Sequence, residues 1–143
     1  MASDRGPGAA TDRGSVLVLM PAAVIVLLVL ASLAVDRALV FGAQRDLVAT
    51  AQAAANDAVA AGVDPDELRG TGAVVLDPVR VEQAVRRATL GVDADLEVRW
   101  AIRGTSVVVE LSRTVPYVFS PAVPGGRRTE RLSARSQADL RRR

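Results

Sequence analysis

Two groups of acidic side chains lie close enough along the chain to act together. Asp64, Asp66 and Glu67 form one, and Asp93 with Asp95 forms the other. Paired carboxylates can move protons or hold a hard cation. Neither group follows the spacing of a calcium loop, so both read as helix caps and solvated turns. The chain contains no histidine and no cysteine. That removes the usual zinc sites, the Ser-His-Asp and Cys-His arrangements, and the commonest general base at neutral pH. An enzyme would have to run on carboxylates alone, and no cofactor is expected. Gly70-Thr71-Gly72 hints at a phosphate loop. No third glycine or P-loop lysine follows, which rules against it.

Charge and aromatic content narrow the classes further. All 18 basic residues are arginine, against 16 acidic ones, for a net charge of +2. So small an excess does not imply nucleic-acid binding, and Phe41, Trp100, Tyr117 and Phe119 are too few to stack single-stranded bases. We expect no nucleic acid and no small-molecule substrate.

The element that must position everything else is Ser15 to Val35, SVLVLMPAAVIVLLVLASLAV, which contains no charge. As a helix it spans roughly 30 Å, the thickness of a bilayer core. It is apolar on all sides, unlike a surface helix of a globular domain, and the remaining chain is too small to bury it. Pro21 near its start loses only one backbone bond. The competing reading is a secretory signal removed near Ala34, with Arg5 and Arg13 as its basic region. The apolar run is longer than a signal core, which favours a retained transmembrane helix.

Residues 1–14 are rich in Gly, Ala, Ser, Asp and Pro and read as a disordered cytoplasmic tail. Arg5 and Arg13 on one flank balance Arg37 and Arg45 on the other, so charge alone does not orient the span. Residues 36–62 are mostly strong helix formers, so the helix should continue as an Ala-rich extension to Gly62. Leu39, Ala43, Leu47, Ala51, Ala54, Ala58 and Ala61 give it a stripe of small side chains that another helix can approach closely.

Residues 63–143 should form a small α+β extracytoplasmic domain. Val63 to Leu76 carries turn chemistry, and Asp77-Pro78 caps and opens a helix running to about Leu90, buried through Val81, Ala84 or Val85, and Ala88. Leu96 to Arg103 and Ser106 to Ser112 alternate as strands around Gly104-Thr105, a glycine-first loop suited to a type II′ turn. That loop places Arg103 opposite Ser106, Ile102 opposite Val107, Trp100 opposite Val109, Val98 opposite Leu111 and Arg99 opposite Glu110. Thr114 to Gly126, with three prolines, reads as a loop over the sheet edge. Arg131 to Leu140 alternates as a third strand, with helix as the competing reading, and Arg141 to Arg143 end the chain as a solvated basic tip. The fold class is therefore α+β: a long N-terminal transmembrane helix continuing outward, then one further helix and a two- to three-stranded antiparallel sheet.

Arg13-Gly14, the apolar span with its early Pro21, Ala34-Val35-Asp36, Gln44-Arg45 and Ala53-Ala54-Ala55-Asn56-Asp57-Ala58 occur in that order. This order resembles the N-terminal region of TadE/TadG-like proteins, minor pilin-like components of the tight-adherence (Flp) pilus machinery of an actinobacterial type. The resemblance covers roughly residues 13 to 62. Chains cut by prepilin peptidase carry a glutamate at the fifth position after the cleavage glycine, which here is Leu19. In that respect the chain is similar to the uncleaved, TadG-like variant.

The resemblance implies a non-enzymatic, single-pass protein of the cell membrane that assists pilus assembly or secretion. Its partners would be membrane lipid and other membrane proteins of that apparatus. The alternative is a secreted or periplasmic binding module with a cleaved signal. Asp36, Arg45, Asn56 and Asp57 are the possible subunit contacts. Asp36 reads first as a water-facing end marker beside Arg37 and second as a partner for a neighbouring subunit's arginine. Asp57, with Asn56, is placed to pair with Arg45 or with another chain.

Overall fold

The computed structural model describes residues 12–92 and 94–140, with side chains from Leu19 onward. The chain forms helix α1 (Asp12–Gly62), a short helix α2 (Pro65–Gly70), helix α3 (Pro78–Thr89), strands β1 (Glu97–Arg103) and β2 (Ser106–Pro116), a 3-10 turn (Ser120–Ala122) and strand β3 (Thr129–Asp139). The fold class is α+β, with a long apolar N-terminal helix, a further helix and a three-stranded antiparallel sheet.

Helix α1 is continuous over 51 residues, with Pro21 inside it, and extends roughly 75 Å. It already includes residues 12–14, which the sequence had assigned to the tail. Adding residues to a helix that exists costs far less than starting one. The rest of the predicted tail, the Arg141–Arg143 tip and Asp93 lie outside the described residues.

The helix has two unlike halves. From Leu19 to Val35 the large apolar side chains are exposed, Ile25 by 62%. Ser32 is half-buried and its hydroxyl donates back to the Val29 carbonyl. Among the described residues α1 is the one helix long and apolar enough to cross a membrane, at a mean hydropathy of 2.4. Beyond Asp36 the same helix becomes the spine of the folded domain. Leu47, Ala51, Ala54, Ala55, Ala58 and Val59 are buried, and Val40 and Ala43 pack at the margin.

The buried stripe is wider than the one predicted. Leu39 and Ala61 are exposed, and Ala55 and Val59 are buried in addition. The physical reason is that α1 touches two neighbours, the β2–β3 side of the sheet and α3, so a single row of side chains cannot serve both. The close approach allowed by small side chains is used within the chain. At Gly62 an added Cβ would stand 2.6 Å from Val81 Cγ2 of α3.

Asp77 caps α3 by accepting from the Val79 N–H at 2.9 Å, with Pro78 at the first helical position as predicted. Val81, Ala84 and Val85 are its buried face. The turn expected around Asp64-Pro65 is one turn longer, closing as α2 with Asp64 as its cap. Val63 bridges Leu76, returning the chain to the end of α1.

The β1–β2 register is the predicted one, from Arg103 opposite Ser106 to Val98 opposite Leu111. Gly104 has φ 62 while Thr105 does not share a positive φ, as a type II′ turn requires. The third strand forms and the helical alternative does not. β3 pairs antiparallel with β2 along its whole length, with Leu132 and Ala134 on the core face. One expectation is corrected here. Thr114 to Pro116 are not loop but the end of β2, opposite Arg131, Glu130 and Thr129. Pro116 is tolerated because β1 ends opposite Ser112, which leaves this end of β2 as a local edge with β3 alone beside it. The remaining loop is the β2–β3 connection, and it folds onto α1 instead of over the sheet edge.

Candidate functional site

The polar centre of the molecule is Asp36, the first residue after the apolar run. Its side chain is 99% hidden, with relative exposure of 1%. The β2–β3 loop wraps its backbone around this carboxylate. The Val118 N–H donates to Oδ1 at 2.9 Å, the Phe119 N–H donates to both oxygens at 3.1 Å, and the Ser120 N–H donates to Oδ2 at 2.6 Å. Three successive amides point one way because the chain turns tightly into the 3-10 segment Ser120–Ala122. Such a concave run of N–H groups is a binding seat for an anion, here supplied by α1. Burial pushes the Asp36 carboxyl up, but the bonds from Phe119, Ser120 and Val118 outweigh it and hold it below the usual carboxylate range.

A second polar pair braces the same loop. The Tyr117 hydroxyl donates to Glu130 Oε2 at 2.8 Å, and Arg127 Nη1 stands 3.5 Å from the same oxygen. The tyrosine's bond lowers the Glu130 carboxyl, against the cost of burial and with help from Arg127 and Arg37. The same bond, together with burial, raises the Tyr117 hydroxyl. Leu33, Asp36, Arg37, Tyr117, Ser120 and Arg127 thus surround one small hollow at the base of the domain.

Higher along α1, Gln44 Nε2 donates to the Ser133 carbonyl at 3.0 Å and Arg113 Nη2 donates to the Ala43 carbonyl at 2.9 Å. β3 therefore runs in the same sense as α1, its preceding loop meeting Asp36 and its fifth residue meeting Gln44.

The four predicted contact residues do not form one site. Asp36 is turned inward and its oxygens are engaged by its own chain, so it is neither a water-facing end marker nor free to meet a neighbour's arginine. Arg45, Asn56 and Asp57 are exposed on α1. Asp57 does not pair with Arg45, because twelve residues of helix separate them by roughly 18 Å. It lies instead in the cleft between α1 and α3, with Ala84 and Arg87 opposite.

The acidic groups act locally. Asp64 accepts from the N–H groups of Asp66 and Glu67, and Asp66 pairs with Arg69 at 3.1 Å. Among the described residues no group of three or more acidic, histidine or cysteine side chains is placed to hold a metal ion. Glu130 and Arg113 were not singled out from the sequence, and Gln44 and Tyr117 were noted only as part of a motif and as an aromatic, without these roles. Their partners are too distant in the chain for any local pattern to show them. No family model, curated protein or solved structure matches the chain.

Proposed function

We propose that the chain is a single-pass protein of the cell membrane whose C-terminal domain is extracytoplasmic, acting without catalysis in a Tad/Flp-type pilus assembly or secretion apparatus. The observation that carries the membrane reading is the seat of Asp36. The folded domain begins one residue past the apolar run and is fastened there by three N–H groups making four hydrogen bonds, so apolar run and domain are one rigid piece. A signal cut near Ala34 would leave this buried carboxylate in the frayed first turn of the helix. The assembly role rests on the order of motifs over residues 13 to 62, which resembles TadE/TadG-like proteins. Exposed Arg45, Asn56 and Asp57 remain the candidate contacts to membrane proteins of that apparatus.

Two measurements test this. Alkaline extraction of membranes, with the intact mass of the retained protein, should find the full-length chain in the pellet. A soluble species trimmed near Ala34 would refute the anchor and favour the secreted module. Deleting the gene should abolish surface pili or secretion by that apparatus, and unchanged assembly would refute the role while leaving the anchor standing.

A further inference from the structure

The β2–β3 loop has the wrong surface for a loop in water. Val118 is 61% exposed, Phe119 43% and Val123 36%, with Pro121 and Pro124 between and after them. Loops that face solvent ordinarily carry polar side chains, and a cluster of apolar ones marks a contact surface.

The loop's backbone is equally unusual. The Tyr117 N–H donates to the Arg128 carbonyl, and those of Val118, Phe119 and Ser120 donate to Asp36. Those of Ala122 and Val123 donate to the Phe119 and Ser120 carbonyls, and prolines 121 and 124 have none. From Tyr117 to Pro124 every backbone donor is therefore satisfied inside the chain. Its N–H groups thus keep their partners when water is withdrawn, and the free carbonyls of Tyr117, Val118, Pro121 and Ala122 are served at the hydrated headgroup level rather than deep in the acyl core.

Position supplies the remaining argument. Asp36 holds this loop beside the end of the apolar run, where exposed Leu33 lines one hollow with Tyr117 and Ser120 of the loop. Arg37, Arg127 and Arg128 are exposed around the same level, the side-chain type that meets lipid phosphates. We propose that the Tyr117–Pro124 loop is a second membrane contact, an apolar foot resting in the interface of an anionic bilayer. Val118, Phe119 and Val123 enter the acyl boundary and Arg128 meets the headgroups. This rests on the membrane-spanning reading of α1.

The absence of native cysteine allows a clean test. Full-length single-cysteine variants Ile25→Cys, Phe119→Cys and Arg103→Cys are labelled with an environment-sensitive fluorophore and placed in vesicles of phosphatidylcholine and phosphatidylglycerol. Nitroxide lipids then quench at known depth. Quenching is expected at Ile25 with deep nitroxides and at Phe119 with shallow ones, and none at Arg103 at the opposite end of the domain. Quenching at Ile25 without Phe119 would overturn the foot and leave the span intact. No quenching at Ile25 would overturn the span and the foot with it. Arg128→Glu added to the Phe119→Cys and to the Ile25→Cys variants should lose a measurable part of the shallow quenching in the first and leave the deep quenching of the second unchanged, and an unaltered shallow signal would remove the headgroup contact. Circular dichroism on each variant checks that the fold is kept.

Discussion

Asp36 does for a loop what an N-cap does for a helix, giving one acceptor to several amides that would otherwise point into a dry space. Replacing it by alanine leaves the Val118, Phe119 and Ser120 N–H groups buried without partners. Asp36→Ala is expected to lower the thermal unfolding midpoint of the detergent-solubilised chain by roughly 10 °C or more. Asp36→Asn should lose less, since its carbonyl oxygen still accepts. Equal midpoints for wild type and Asp36→Ala would show that the seat contributes nothing. The same residues set the pH response. Asp36 and Glu130 titrate lower folded than unfolded, so the folded chain binds fewer protons at acid pH. Their contribution is complete above the ordinary values of 3.8 and 4.5 and drains away as pH falls through the lowered ones. Tyr117 has the opposite sign, holding its contribution below 10.0 and losing it as pH rises through the raised value. Unfolding midpoints measured against pH should therefore fall at both extremes, and Tyr117→Phe should flatten the alkaline fall.

At the level of elements, two glycines of α1 predict opposite outcomes. A Cβ at Gly42 would meet nothing within 4 Å, so Gly42→Ala should stabilise by about 0.5–1 kcal/mol through the helix propensity alone. Gly62 faces Val81 and Leu76, so Gly62→Val should force α3 off α1 and cost about 1–3 kcal/mol in a denaturant titration. Elements were readable where a short-range pattern and a turn agreed. The Gly104-Thr105 turn and the alternation on both sides specify the β1–β2 register independently, and Asp77-Pro78 marks the start of α3. The β2–β3 connection was not readable. Its two prolines signal irregular chain, but the partner that organises it lies 82 residues earlier, at Asp36. For the same reason an aspartate at the end of an apolar helix looks like a boundary marker, and its inward role is visible only in three dimensions.

Taken as a whole, the molecule is one helix with a domain gathered around its second half. The first half makes few contacts with that domain, and its exposed apolar surface needs another phase to cover it. Putting two charges into it, as Ile25→Arg with Leu28→Arg, should cost about 6 kcal/mol of insertion free energy. The double variant is expected to move from the alkaline-resistant pellet to the extractable fraction, while Trp100 fluorescence reports an unchanged domain. Retention in the pellet would mean that something other than this run holds the chain.

The unbroken course of α1 has a mechanical consequence. No loop interrupts α1 between its apolar half and the half that carries the sheet, and the fastening at Asp36 removes the place where a swivel would sit. If the apolar half spans a membrane as proposed, any tilt of it must reappear as displacement of the Gly62 end. A 20° tilt, common for membrane helices, would carry the Gly62 end sideways by about 13 Å. A lever of that kind converts a small rearrangement among helices in the bilayer into a large stroke outside it.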